Sequence, residues 1–149
     1  MATTAMVALC LASRPAAAAN LQMGTSVISF SVPPGAYNPA TGAATVTISR
    51  GLVAQVNTNK KWSLQMRATS ANFVFTPLSG PTVSKSVSGL QLRDCTAGSL
   101  FVPSLSFTTI DNGSNTKGRW LDSVFDVIFQ VTGTDPAGQY SVILEFQVI

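Results

Sequence analysis

The sequence contains no histidine. That removes the commonest general base, the commonest metal ligand and every Ser/His or Cys/His nucleophile pair. Charge is scarce too: Asp, Glu, Lys and Arg make up 10% of the 149 positions, against about 25% in an ordinary globular domain. Nine basic and six acidic residues leave a formal net charge of +3. Apart from the pair Lys60-Lys61, the basic residues are scattered through the chain (Arg50, Arg67, Lys85, Arg93, Lys117, Arg119). Nucleic-acid binders concentrate such residues on one face, so no nucleic-acid partner is expected. With 46% hydrophobic residues the composition is the reverse of a disordered chain. The length fits one domain.

The N-terminus reads as a processing segment. Ala5 to Ala12 is a short apolar run, and Ala17 and Ala19 supply the small residues of a cleavage site. Residues 1–19 are therefore expected to be a signal peptide, with cleavage leaving Asn20 first and a domain over 20–149. The opening Met1-Ala2-Thr3-Thr4 lacks the usual positive charge. The apolar run is far short of the about 20 residues that span a bilayer, so no transmembrane anchor is expected in the mature chain. Cys10 leaves with the signal. Cys95 then stands alone, and a domain of this size does not need a disulfide. Cys95 is expected to be a buried free thiol; the alternative is an exposed thiol that pairs between chains.

Beyond residue 20 the chain consists of short β-rich runs separated by Gly, Pro, Asn and Ser. Ile28, Phe30 and Val32 alternate with serines before Pro33-Pro34-Gly35. Residues 44–49 alternate again, and Gly51 marks a bulge or bend before Leu52 to Val56. Trp62, Leu64, Met66 and Ala68 share one strand face. Short strands are expected around Phe73–Phe75 and Leu90–Arg93, with a Pro/Ser/Gly-rich loop over 77–88 between them. Leu105, Phe107 and Thr109 alternate within 100–110, where Pro103 argues for a sheet edge. Asp111 to Gly118 (DNGSNTKG) is the most loop-like stretch. Two strands close the chain. One presents Phe125, Val127, Phe129 and Val131; the other presents Tyr140, Val142, Leu144, Phe146 and Val148. Joined by 132–138, they are expected to form an antiparallel hairpin, with the last strand central. The expected fold is all-β: a single antiparallel β-sandwich, Ig-like or jelly-roll-like, of about eight strands.

Chemistry-bearing residues are few. Asp122 and Asp126 share a strand face about 13 Å apart, and with Glu145 they are expected to face solvent. Asp111, Asn112 and Asn115 carry the oxygens of a calcium loop but not the pattern of a calcium hand, since no Glu follows. No metal, no cofactor and no catalytic activity are expected. If the domain binds a small ligand, the exposed aromatic Trp120 beside the 111–118 loop, with Asp111, Asn112 and Asn115, forms the candidate site, by stacking on a sugar ring. Trp62, with apolar neighbours on its own face, is expected in the core.

Two motifs carry a resemblance. Trp62-Ser63-Leu64 is W-x-L, and Gly138-Gln139-Tyr140 leads through Leu144 to Phe146-Gln147-Val148. The chain resembles the WxL-type cell-surface domains of Gram-positive bacteria, in which a tyrosine precedes a second W-x-L; here Phe146 and Val148 occupy the places of Trp and Leu. The closing Asp135-Pro136-Ala137-Gly138 with Tyr140 is also similar to pilus-type sandwich subunits. The resemblance implies non-covalent attachment to a cell wall. The sequence thus points to a non-enzymatic exported structural or adhesive component of a bacterial cell surface, extracellular or periplasmic. Its expected partners are other surface proteins, cell wall or glycan, or further copies of itself. The alternative is a carbohydrate-binding module.

Overall fold

In a computed structural model, residues 20–23, 27–35, 37 and 44–149 are described; the expected signal peptide and Cys10 lie outside them. Ten strands follow in chain order: β1 (Asn20–Met23), β2 (Val27–Val32), β3 (Ala44–Asn57), β4 (Trp62–Ala68), β5 (Val74–Pro77), β6 (Leu90–Asp94), β7 (Leu100–Phe101), β8 (Thr108–Gly113), β9 (Leu121–Val131) and β10 (Gly138–Val148). The only helical piece among the described residues is the 3-10 turn Val87–Gly89, and none of their helices is long and apolar enough to cross a membrane.

The strands form two antiparallel sheets. The front sheet runs β1-β3-β9-β6-β7 and the back sheet β2-β10-β4-β8, with β5 beside β10. Along β10, Gly138–Ser141 pairs β5 and Leu144–Val148 pairs β4. The pairings nest: β2 with β10, β3 with β9, β4 with β8, and β6 with β7. The chain is thus one long antiparallel ribbon, closed at the β6–β7 hairpin and wrapped so that successive pairs fall in opposite sheets. That is the eight-stranded jelly-roll arrangement, with β1 and β5 added to it.

This topology corrects the expected closing hairpin. β9 and β10 do not pair; β9 is central in the front sheet and β10 in the back sheet. The alternation is present in both strands, but its consequence differs. An arch between facing sheets turns the same apolar side chains inward as a hairpin does, so the period of two cannot separate them. What the connection produces is cross-sheet contact: Tyr140 of β10 lies 5.2 Å from Phe129 of β9, and Phe30 of β2 lies 4.1 Å from Phe129, between ring centroids. Phe73 and Phe75 complete this aromatic centre against Tyr140. The Tyr140 hydroxyl donates to the Pro136 carbonyl at 2.9 Å, so the ring is buried without an unpaired polar atom. Tyr140, Phe125, Phe129, Leu144, Leu64 and Leu92 are among the largest fully buried side chains, each worth roughly 1.5–3 kcal/mol of transfer free energy.

The 100–110 stretch, with its Pro103, falls into parts of two sheet-edge strands: β7 ends at Phe101, β8 begins at Thr108, and the intervening segment crosses from the front-sheet edge to the back sheet. Leu105 there is 56% exposed. The supposed loop at 111–118 begins as strand, since Asp111 and Asn112 pair with Leu64 and Ser63. The bend at Gly51 is present: β3 changes register against β9 between Ile48 and Leu52. Arg50 takes a left-handed φ of 51°, and a Cβ on Gly51 would lie 2.9 Å from Ile48 Cγ2.

Candidate binding cleft

A cleft of about 540 Å³ opens where the turn after β6, the end of β8 and the start of β9 converge. Asp94, Thr96 and Ala97 come from the turn, Asp111 to Asn115 from β8 and the loop after it, and Leu121 to Val124 from β9; Trp62 lies at its back. Each group is fixed by the fold. Asp94 Oδ1 accepts from the Thr96 and Ala97 amides at 2.6 and 2.9 Å and so shapes the β6–β7 turn. Asp111 accepts from the Ser123 hydroxyl across the two sheets and from the Asn112 amide at 2.8 Å. Asp122 accepts from Gln55 Nε2 at 2.7 Å.

The wall beyond β8 is equally tied down. Trp62, 5% exposed, donates its indole N–H to the Ser114 carbonyl at 3.0 Å. A Cβ on Gly113 would lie 2.7 Å from the indole ring, so glycine stands there for close approach rather than for turn freedom. Buried Thr116 bonds Thr58 in both directions, and Asn115 Oδ1 accepts the Lys117 amide at 2.6 Å.

Asp111, Asn112 and Asn115, singled out in the sequence, are thus brought together on the cleft. Trp120 is not among its lining residues; it sits just before β9 at 44% exposure. Trp62 is in the core as expected, with one ring edge on the cleft. Asp94, Thr96, Asp122 and Ser123 join only through the folding of distant segments, and no local pattern marks them. Three carboxylates and no cation line the cleft, so its surface is rich in acceptors and suits hydroxyl or amine donors. Among the described residues no group of three or more Cys, Asp or Glu is placed to hold a metal ion. Ser114 and Lys117 have the S-x-x-K spacing of some nucleophile pairs. That spacing brings side chains together on a helix, whereas this segment is a loop with Lys117 at φ 52°.

Outside the cleft, a second cluster corrects two expectations. Asp126 lies on the outer face of β9 but is only 8% exposed. It accepts from the Arg50 amide at 2.8 Å, Arg93 Nη2 at 2.6 Å and Cys95 Sγ at 3.4 Å. The Arg50 amide first, then the Arg93 guanidinium, hold its carboxyl down at about 2. It is the anchor of the β3 bulge, not a solvated residue. Cys95 is exposed rather than buried. Partial desolvation and then the Asp126 carboxylate push its thiol pKa up.

The remaining carboxylates are also engaged. Glu145 pairs with Arg67 at 2.6 Å on the outer face of the back sheet. Asp135 pairs with Lys85, which lies over the Phe129 ring, and accepts from the Thr132 amide at 2.7 Å. In comparisons with known proteins, no family model, no curated protein and no solved structure matches this chain.

Proposed function

We propose that the chain is a non-enzymatic exported structural or adhesive component of a bacterial cell surface. The observation that supports this most directly is the use made of its carboxylates. All six, Asp94, Asp111, Asp122, Asp126, Asp135 and Glu145, accept hydrogen bonds from groups that hold turns, bulges or sheets together. General acid–base work needs a carboxyl within reach of a reacting proton and tuned near the working pH; Asp126, the one carboxyl with a large shift, is tuned the other way. The sandwich then acts through shape, with a rigid scaffold presenting its faces and loops. Jelly rolls serve glycan-binding lectins and the subunits of protein shells alike, so the fold accommodates this role. The test is to label intact cells of the source organism with a membrane-impermeant reagent and identify the labelled proteins. Labelling of this chain before lysis is expected; labelling only after lysis contradicts the reading.

A second reading, a carbohydrate-binding module, draws on the acceptor-rich cleft at Asp111, Asn112 and Asn115. Here Asn112→Ala would weaken binding to an immobilised glycan while Trp120→Ala would not. A glycan array without binding, or binding lost only with Trp120→Ala, argues against this cleft.

A further inference from the structure

Basic residues that lie apart in the sequence meet at one end of the sandwich. The turn 58–61 carries the chain from β3 of the front sheet to β4 of the back sheet, and the loop 114–120 carries it from β8 of the back sheet to β9 of the front sheet. Trp62 pairs with Gly113 and Val56 with Leu121, so the two connections leave the sheets side by side. Thr58 and Thr116, both buried, pin them to each other: the Thr116 amide donates to the Thr58 carbonyl at 2.9 Å and the Thr58 amide to Thr116 Oγ1 at 3.1 Å. The Arg119 amide donates to the Thr116 carbonyl at 3.1 Å, and the Lys60 amide to Thr58 Oγ1 at 3.3 Å. The threonines thus hold the backbone while Lys60, Lys61, Lys117 and Arg119 all stay exposed. These are four of the nine basic residues, and neither connection contains an acidic one. The rest of the chain has five basic and six acidic residues, so the whole positive surplus belongs to these two connections. The salt bridges of the described residues engage Arg67, Lys85 and Arg93 and none of these four. Asp122, the nearest carboxylate along the chain, is taken up by Gln55 at 2.7 Å. Two exposed apolar side chains reach the same end: Trp120 directly after Arg119, and Ile149 through paired backbone bonds with Ser63. A terminal carboxylate at Ile149 still leaves a surplus of positive charge there.

We propose that this end of the sandwich docks on the surface of an anionic lipid bilayer. Three features select that occupant. The first is charge complementarity: unpaired Lys and Arg are drawn to an anionic leaflet, within the reach that salt screening allows. The second is the company the cations keep. An indole with one polar edge settles at the boundary of headgroups and acyl chains, and Lys and Arg stems lie along apolar surface while their charged heads reach phosphate. The third is placement. The four cations stand on two connections at the end of the molecule, and none of them lines the cleft at Asp111. Proteins that hold a polyanionic strand track it along a groove, whereas a planar surface is met by an end. The docking is peripheral and reversible, resting on charge and one or two apolar side chains. The inference goes beyond the surface reading above. Its readout, vesicle binding, is independent of where the protein resides, so either can fail alone.

The test is co-sedimentation of the full chain with vesicles of phosphatidylcholine alone and of phosphatidylcholine mixed equally with phosphatidylglycerol. Binding to the anionic vesicles only is expected, and it should fade as salt rises from about 0.1 to 1 M and the screening length falls from about 10 to 3 Å. Each Lys or Arg at such a surface contributes about fivefold. Lys60→Gln with Lys61→Gln, and Lys117→Gln with Arg119→Gln, are therefore each expected to weaken binding at least tenfold. Arg50→Gln with Arg67→Gln removes as much charge away from this end and is expected to weaken it far less. Trp62 is buried and Trp120 exposed, so a blue shift of tryptophan emission on binding reports Trp120 and should vanish in Trp120→Phe. Thermal melts identify the folded variants, and the two pairs on separate connections keep the test open if one does not fold. Equal binding to neutral vesicles overturns the proposal and points to the apolar run in residues 1–19. Binding that survives both folded pairs, or falls as far with the Arg50 and Arg67 pair, overturns it as well. So does an absence of vesicle binding, including the case in which the chain is retained on immobilised DNA or an acidic polysaccharide instead.

Discussion

Phe129 and Tyr140 meet between the two sheets with ring centroids 5.2 Å apart, although the strands that carry them share no hydrogen bond. This contact joins the centre of one sheet to the centre of the other, and the stability of the domain follows from it. Tyr140→Ala should cost about 3–5 kcal/mol, as for a large aromatic removed from a core. Tyr140→Phe keeps the ring and loses only the bond to Pro136, at about 0.5–1.5 kcal/mol. Urea titrations of the two variants check the difference.

Burial, and secondarily the charge of Asp135, push the Tyr140 hydroxyl up to about 12 from its ordinary 10. The folded state therefore favours the neutral phenol. Its contribution to stability is fully present below pH 10 and is lost as the pH rises through 12. Thermal melts should show a fall over that window, and Tyr140→Phe should show a smaller one.

Asp126 gives the opposite dependence. Its folded-state carboxyl sits near 2 against an ordinary 3.8, so its contribution is present above the ordinary value and lost as the pH falls through 2. Melts taken from pH 5 down to pH 2 should fall less steeply for Asp126→Asn than for the native chain, because the amide has no carboxyl to protonate and already lacks the charge that faces Arg93.

Cys95 should react with a maleimide in the native state, since it is exposed. With its pKa raised, it should react more slowly at neutral pH than a free thiol, because the thiolate is the nucleophile. Asp126→Asn removes one cause of that shift and should speed labelling severalfold. Protection lifted only by denaturant would contradict the exposed placement.

The last six residues should be indispensable. Leu144 is fully buried, and Leu144 to Val148 pair along β4. Loss of a buried Leu alone costs about 2–5 kcal/mol, against a whole-domain stability of about 5–15 kcal/mol. Deletion of residues 144–149 should leave no cooperative melt by circular dichroism.

Much of this fold was legible as strand positions. The inward residues of β2, β4, β9 and the first half of β10 follow their alternation, and the bulge at Gly51 was marked by its glycine. The partners of those strands were not legible. Hairpins and arches share one period, so β9 and β10 looked like neighbours when they face each other. The cleft was half visible: Asp111, Asn112 and Asn115 lie close in sequence, whereas Asp94 and Asp122 arrive through strand pairing. Cys95 misled because a small, apolar thiol is usually buried, while here it follows β6 into an exposed turn.

The central claim is that the carboxylates of this chain serve its fold. Side chains held for binding or catalysis commonly cost stability, and replacing them often raises it. Side chains that hold a fold together lower stability when replaced. The direct measurement is the melting temperature at neutral pH of six single variants: Asp94→Asn, Asp111→Asn, Asp122→Asn, Asp126→Asn, Asp135→Asn and Glu145→Gln. The account predicts that all six melt below the native chain, Asp126→Asn and Asp135→Asn most of all, because those two side chains are the least exposed of the ion-paired carboxylates. A variant that stays folded and melts above the native chain would mark a carboxylate held for function, and would contradict it.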